Sequence, residues 1–306
     1  MDTLSSDGSA PRRGTRTATL AVVLALLSAC AGSRADAVGI EGGSGSIEGF
    51  EPNYLLVGAD SLDSNAGAGD GDCDVKFQLS FSRRLSAPRA LRGGVVGRAF
   101  GRDSPLYFGF TQRAWWDICR HSAPFRETNY APSLFYRGAV PFAGERAELL
   151  AGYVHQSNGE SDEGSRRWER LFARLRLPLG ERVARLGFDT ADRRRWLVDL
   201  TLWYPFLLAE ENRDITRFAG YGELAVAYTP NAESRLRLTL RKGGGLTRWA
   251  RGLAELDYVF PIPGTGVQGL LQYTNGYGAS LGRFDRHEYA LRVGVLFSDF
   301  DVPSRR

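Results

Sequence analysis

The chain has 306 residues, 37 of them glycine, with 11% aromatic residues and a formal net charge of +4. This length allows one large β domain or two ordinary ones, and it is ample for a closed barrel. The weak positive charge, with no basic run interleaved with exposed aromatics, argues against nucleic acid as a partner.

The N-terminal stretch does not read as part of a fold. Arg12, Arg13 and Arg16 precede an apolar stretch at 18–29. That stretch is too short for a stop-transfer helix and suits a secretory signal. Two cleavage sites compete. Ala35-Asp36-Ala37 fits the small-x-small pattern of ordinary signal peptidase and makes 1–37 a signal peptide. Leu27-Ser28-Ala29-Cys30 offers lipoprotein cleavage before Cys30 as the alternative. The ordinary site is preferred, because a barrel needs no lipid anchor. Residues 38–72 follow as a flexible linker and N-terminal segment: Gly42-Gly43-Ser44-Gly45-Ser46 is linker-like, 51–56 looks ordered, and 64–72 has loop composition. Export leaves Cys73 and Cys119 as the remaining cysteines. An oxidising compartment permits a disulfide between them, and two separate thiols fit equally well. Metal-type cysteine clusters are absent.

From 73 to 300 apolar and polar residues alternate, segment after segment. Phe77, Leu79 and Phe81 oppose Lys76, Gln78 and Ser80; Leu106, Phe108 and Phe110 oppose Tyr107, Gly109 and Thr111. Leu200 and Leu202 oppose Asp199 and Thr201; Leu236, Leu238 and Leu240 oppose Arg235, Arg237 and Arg241; Leu291, Val293 and Val295 oppose Arg292 and Gly294. Period two with turn residues between segments is the strand signal. With Leu224, Val226 and Tyr228, with Leu256, Tyr258 and Phe260, with the two strands at 149–157 and 168–177, and with weaker segments near Leu134, Val183 and Leu271, the count reaches twelve. The polar face carries both charge signs, as a barrel lumen does. Trp115, Trp116, Trp196, Trp203, Tyr204 and Tyr258 fall at strand ends, where interfacial girdles are expected. The reading is all-β: a twelve-stranded antiparallel transmembrane β-barrel over 73–300 in a bacterial outer membrane, with a short tail at 301–306. A soluble periplasmic β protein is the alternative.

One hairpin stands out chemically. Along an extended strand, residues of equal parity share a face. His155 and Ser157 therefore stand on the face of Leu149, Ala151 and Tyr153. After a polar turn, Glu169 shares a face with Leu171, Ala173, Leu175 and Leu177, while Arg170, Arg174 and Arg176 take the other. An acid, a base and a hydroxyl thus meet on the apolar side of one hairpin, a costly place for groups without a task.

Tyr153-Val154-His155-Gln156-Ser157-Asn158-Gly159, then Ser161-Asp162, Ser165-Arg166 and Trp168, resemble the active-site hairpin of the outer-membrane phospholipase A family. Phe110-Thr111-Gln112-Arg113-Ala114-Trp115-Trp116, Pro124-Phe125-Arg126-Glu127-Thr128-Asn129-Tyr130 and Gln272-Tyr273-Thr274-Asn275-Gly276-Tyr277-Gly278-Ala279-Ser280-Leu281 resemble further family blocks in the same order. The resemblance runs from about Pro52 to Phe300. It implies calcium-dependent hydrolysis of phospholipid acyl esters (A1, A2 and lysophospholipid) by a homodimer, with the chemistry on the barrel exterior.

Carried onto this chain, the resemblance makes Ser157 the nucleophile, His155 the general base and Glu169 the third member. The best-known family members have asparagine there, so Glu169 is a departure and implies a Ser-His-Glu variant; pairing of Glu169 with Arg167 is the competing reading. Gly159 is implied as a backbone oxyanion donor. The implied Ca2+ ligands are the Ser165 hydroxyl, the Glu160 carbonyl and, from the other subunit, the Ser122 carbonyl. Gln112, polar on a lipid-facing parity, is implied at the dimer interface. The expected partners are phospholipid substrate, the membrane and a second copy. The competing function is a catalytically inactive structural or pore-type barrel.

Overall fold

The structure is a computed structural model, and it describes residues 47–60, 73–85, 105–142, 145–179, 196–231, 233–244 and 251–298. The expected signal peptide at 1–37, most of the expected linker, the segment around Val183 and the expected C-terminal tail lie outside these residues.

Thirteen strands follow in chain order among the described residues: β1 Ile47–Glu48, β2 Asn53–Asp60, β3 Cys73–Leu85, β4 Leu106–Trp116, β5 Phe125–Phe142, β6 Glu145–Ser157, β7 Arg167–Pro178, β8 Trp196–Leu208, β9 Gly222–Tyr228, β10 Arg235–Lys242, β11 Gly252–Pro261, β12 Gln268–Gly276 and β13 Glu288–Ser298. A one-turn helix, α1 (Thr216–Ala219), sits between β8 and β9. Each strand from β2 onward pairs antiparallel with its successor, and β13 returns to β2 in register Val293↔Val57. The result is a closed twelve-stranded barrel, with β1 added at the end of β3. Closure removes the open edges, which a sheet in lipid requires.

The expected alternation is observed. Leu79, Leu236, Leu238, Leu240, Leu291 and Val293 are exposed on the outer wall, while Lys76, Gln78, Arg235 and Arg292 are buried inside. Several lumen charges are paired. Arg292 donates to both oxygens of Asp74 at 2.8 Å and to Glu288 at 3.0 Å. Lys76 Nζ reaches Gln272 at 2.5 Å and Glu255 at 3.2 Å. Asp199 accepts from Arg176 and Arg237. Buried charges paired in this way avoid the penalty that isolated ones carry. One end of the lumen is filled by apolar residues: Ile215, Phe218 and Ala219 pack with Leu281, Phe284, Trp168 and Trp203.

Three expectations are corrected or resolved. The barrel begins before residue 73, because Asn53–Asp60 is its first strand, paired with both β3 and β13. Its inner residues Tyr54 and Leu56 are buried and its outer residues Leu55 and Val57 are exposed, so apolar side chains on both faces hide the alternation. Trp115 (1% exposed) and Trp203 (5%) point inward and belong to no girdle, whereas Trp116 and Tyr258 face outward. Adjacent residues of one strand cannot share a face. Cys73 and Cys119 form a disulfide that ties the β4–β5 turn to the start of β3.

Candidate active site

The β6–β7 hairpin carries the candidate residues. His155 lies directly opposite Glu169, two residues from the Ser157↔Arg167 pair. Facing pairs stand about 4.5–5.5 Å apart at Cβ, so side chains of this size meet. His155 Nδ1 lies 3.0 Å from Glu169 Oε1. The other carboxylate oxygen, Oε2, accepts a hydrogen bond from the Tyr153 hydroxyl. Both oxygens of Glu169 are thereby engaged on a wall where solvent reaches 14% of its side chain and 29% of that of His155. Among the described residues Glu169 forms its ion pair with His155 and none with Arg167. Ser157 shares the outer face with His155, and no hydrogen bond joins the two side chains. With Nδ1 occupied, Nε2 is the ring nitrogen left open. Serine–histidine contacts often tighten only when substrate binds.

Behind the wall, Gln156 and Arg170 alternate with these residues and point into the lumen. Gln156 Oε1 accepts from Trp168 Nε1 at 3.0 Å and from Arg170 Nη2 at 2.7 Å. The hairpin is thus braced on its inner side. Buried Asn212 also ties Arg167 to the 209–221 connection through Oδ1 at 3.2 Å and Nδ2 at 3.1 Å.

The 158–166 turn is clamped by Asn158. Its Nδ2 donates to Gly164 O at 2.9 Å, and its Oδ1 accepts from Arg166 N at 2.8 Å and Glu160 N at 3.3 Å. Gly159 has φ +73, and a Cβ there would lie 3.0 Å from the Tyr130 ring, so glycine suits the position twice over. Ser165 closes a 3-10 turn at Asp162–Gly164. Its hydroxyl has no hydrogen-bond partner among the described residues. Glu160, Asp162 and Glu163 are exposed around it. Among the described residues no group of three or more His, Cys, Asp or Glu side chains is arranged to hold a metal. A hydroxyl and backbone carbonyls remain as donors, and such hard oxygens suit Ca2+.

Ser122 is exposed in the 117–124 turn with φ 64, and its hydroxyl lies 3.1 Å from His121 Nδ1. Among the described residues no hydrogen bond joins it to the 158–166 turn of the same chain. Gln112 lies on the outer wall between Leu79 and Tyr130. Tyr130 in turn faces Ser157, so Gln112, Tyr130 and Ser157 form one row across β4, β5 and β6. Two strand spacings, on the order of 10 Å, separate its ends.

The residue that sequence reasoning missed is Tyr153. Parity alone makes it an apolar neighbour, and it pairs directly with Leu171. The signal that reveals its role is the same parity with His155, since a long side chain also reaches its diagonal neighbour.

A closed barrel with an apolar outer wall, a charged lumen and an acid–base pair beside a serine on that wall defines an outer-membrane β-barrel with a hydrolase-type site. The phospholipase A1 family model matches residues 40–297, and the chain belongs to that family of outer-membrane barrels. Phospholipase A1 of Klebsiella pneumoniae is 34% identical over 264 residues, covering 82% of each chain. Phospholipase A1 of Escherichia coli K12 is 35% identical over 233 residues, covering 74% of this chain and 70% of the relative. Outer membrane phospholipase A from Escherichia coli superposes with a TM-score of 0.66 at 31% identity, covering 83% of this chain and 99% of that one. The Salmonella typhi outer membrane phospholipase, a dimer with bound calcium, has a TM-score of 0.66 at 28% identity, covering 91% and 97%.

Proposed function

We propose that this chain hydrolyses phospholipid acyl esters, at the A1 and A2 positions and in lysophospholipids, as a calcium-dependent homodimer using Ser157, His155 and Glu169. The observation that supports this most directly is the 3.0 Å contact between His155 Nδ1 and Glu169 Oε1 on the lipid-facing wall. A serine hydroxyl is too weak an acid to attack an ester unaided. His155 Nε2 takes its proton as the Ser157 oxygen adds to the acyl carbon, then returns it to the leaving alkoxide. Glu169 fixes the ring and offsets the imidazolium charge. Water repeats the cycle on the acyl-enzyme. The Gly159 N–H is the backbone donor for the oxyanion.

The Ser165 hydroxyl and the Glu160 carbonyl would hold Ca2+ together with the Ser122 carbonyl of a second subunit, and bound Ca2+ would polarise waters beside the oxyanion. One subunit then holds only part of the cation site. The row from Gln112 through Tyr130 to Ser157 supports a dimer face next to the nucleophile. A greasy cleft between two barrel walls would receive the acyl chain. Paired charges and an apolar plug stand across the lumen, which disfavours a passive pore.

The test is acyl release by detergent-refolded protein, with calcium and with a chelator, for wild type and Ser157→Ala. Release that needs calcium and is lost in Ser157→Ala supports the reading. Release that persists in folded Ser157→Ala, or none from a folded wild-type dimer, refutes it.

A further inference from the structure

Ser157↔Arg167 is the last facing pair of the β6–β7 hairpin, so Arg167 stands beside the proposed nucleophile on the outer wall. Facing residues have Cβ atoms about 4.5–5.5 Å apart. The Arg167 charge also acts on the His155 ring. Its side chain is exposed and has no hydrogen bond or ion pair among the described residues. The acid on the same face, Glu169, has both oxygens taken by His155 and Tyr153. The backbone of Arg167, by contrast, is fixed. Buried Asn212 accepts from its N–H at 3.2 Å and donates to its carbonyl at 3.1 Å, and Ala209 N donates to the same carbonyl at 3.1 Å. The neighbouring cation, Arg166, spends Nη1 on the carbonyls of Glu163 and Ser165 in its own turn. Position along the barrel matters as well. On one side of the Ser157↔Arg167 pair lie exposed Leu171 and Leu207 of the apolar wall. On the other lie the exposed acids Glu160, Asp162 and Glu163. This is the border at which lipid gives way to water, where a long arginine covers apolar surface and keeps its charge among polar headgroups.

We infer that Arg167 binds the phosphodiester of the glycerophospholipid whose acyl ester lies at Ser157, and that this contact selects phospholipids over neutral glycerides. The inference rests on the proposed ester chemistry at Ser157. In a glycerophospholipid the phosphate is only a few bonds from the ester carbonyls. An ester carbon held at Ser157 therefore brings the phosphate within reach of the long side chain that faces Ser157 across the hairpin. A guanidinium fork matches phosphate oxygens with parallel N–H donors. The exposed carboxylates of the 158–166 turn repel the same anion, so the uncommitted cation beside Ser157 decides where it settles. Because Asn212 and Ala209 hold the Arg167 backbone, only the side chain has to be ordered by the lipid.

The experiment compares kcat/KM on dihexanoylphosphatidylcholine and on dihexanoylglycerol, esters with the same acyl chains, in the same micelles at saturating calcium. Arg167→Gln should lower the ratio of the phospholipid value to the glyceride value about tenfold, as loss of one charge-assisted hydrogen bond does. Arg167→Lys keeps the charge without the fork and should fall between Arg167→Gln and wild type. Arg213→Gln, at an exposed loop pair with Glu210, should leave the ratio unchanged. An unchanged ratio in Arg167→Gln overturns the inference. Equal losses on both esters also overturn it, because Arg167 would then serve the acid–base pair or a contact with a second subunit. A binding arm separates this from failure of the ester chemistry. The dialkyl ether analogue of the phospholipid cannot be hydrolysed at Ser157, and Arg167→Gln should weaken its binding about tenfold. A wild type that cleaves neither ester but keeps this binding difference refutes the Ser157 chemistry and leaves the phosphate contact standing. Unchanged ether-lipid binding in Arg167→Gln overturns the contact whatever the rates. Displacement of the ether lipid by an equal concentration of glycerophosphocholine would assign the site to a free phosphodiester and overturn the lipid assignment.

Discussion

Tyr153→Phe removes one hydroxyl from the outer wall and leaves Glu169 Oε2 without its donor. Glu169 keeps His155 at 3.0 Å, yet solvent reaches only 14% of its side chain, so water replaces the phenol poorly. A hydrogen bond to a charged group contributes roughly 1.5–3 kcal/mol. At about 1.36 kcal/mol per decade, loss of that bond predicts roughly a tenfold to hundredfold fall in kcat/KM. Glu169→Ala removes the orienting group itself, and comparable triads then lose about ten-thousandfold. On the Glu169→Ala background, Tyr153→Phe should cost no more than about 0.5 kcal/mol, because its acceptor is already gone and the full loss appears as coupling between the two sites. The assay is the initial rate on a short-chain phospholipid in mixed micelles at saturating calcium. Circular dichroism confirms the fold, and sedimentation confirms the dimer. Equal losses from Tyr153→Phe on both backgrounds refute the reasoning, because the phenol would then act on something other than Glu169.

Gln112→Leu should weaken the proposed calcium-driven dimerisation by roughly 0.6–2 kcal/mol for each hydrogen bond it removes from the proposed interface; sedimentation equilibrium that matches wild type would exclude Gln112 from that interface. Asn158→Ala releases the clamp on the 158–166 turn and should raise the calcium needed for half-maximal activity roughly tenfold. An unchanged calcium titration would show that Asn158 does not hold that geometry. The Cys73–Cys119 bond closes a loop of sequence separation 46, for which the chain-entropy model gives about 4 kcal/mol. The double serine variant should unfold at lower denaturant, and coincident curves would show that the link adds nothing.

The strands are legible because lipid and lumen ask opposite things of neighbouring residues, and period two records the answer. Legibility fails where that contrast is missing. In β2, Leu55 and Val57 face outward while Tyr54 and Leu56 fill the lumen, so both faces are apolar and the segment reads as a mere lead-in. The count of twelve from sequence includes a segment near Val183, which lies outside the described residues, and omits β2, which the barrel uses as its first strand. The same parity brings His155 and Glu169 together correctly, because that pair needs only hairpin register. It does not reveal Tyr153, whose hydroxyl acts diagonally, or the Cys73–Cys119 pairing, which joins two different hairpins.

Glu169 and Tyr153 are best understood as one device. A carboxylate at a lipid boundary is costly unless each oxygen has a partner. Here Oε1 meets the imidazole and Oε2 meets the phenol. An amide at this position has a single acceptor oxygen for both donors, and its nitrogen can only donate. The two donors then compete for that oxygen, and no negative charge offsets the imidazolium. Glu169→Asn is therefore expected to retain activity at a reduced rate, and Tyr153→Phe should cost less on that background than in wild type. If instead the asparagine variant exceeds wild type, the carboxylate is not the orienting acid, and Glu169 serves the fold of the wall more than the chemistry upon it.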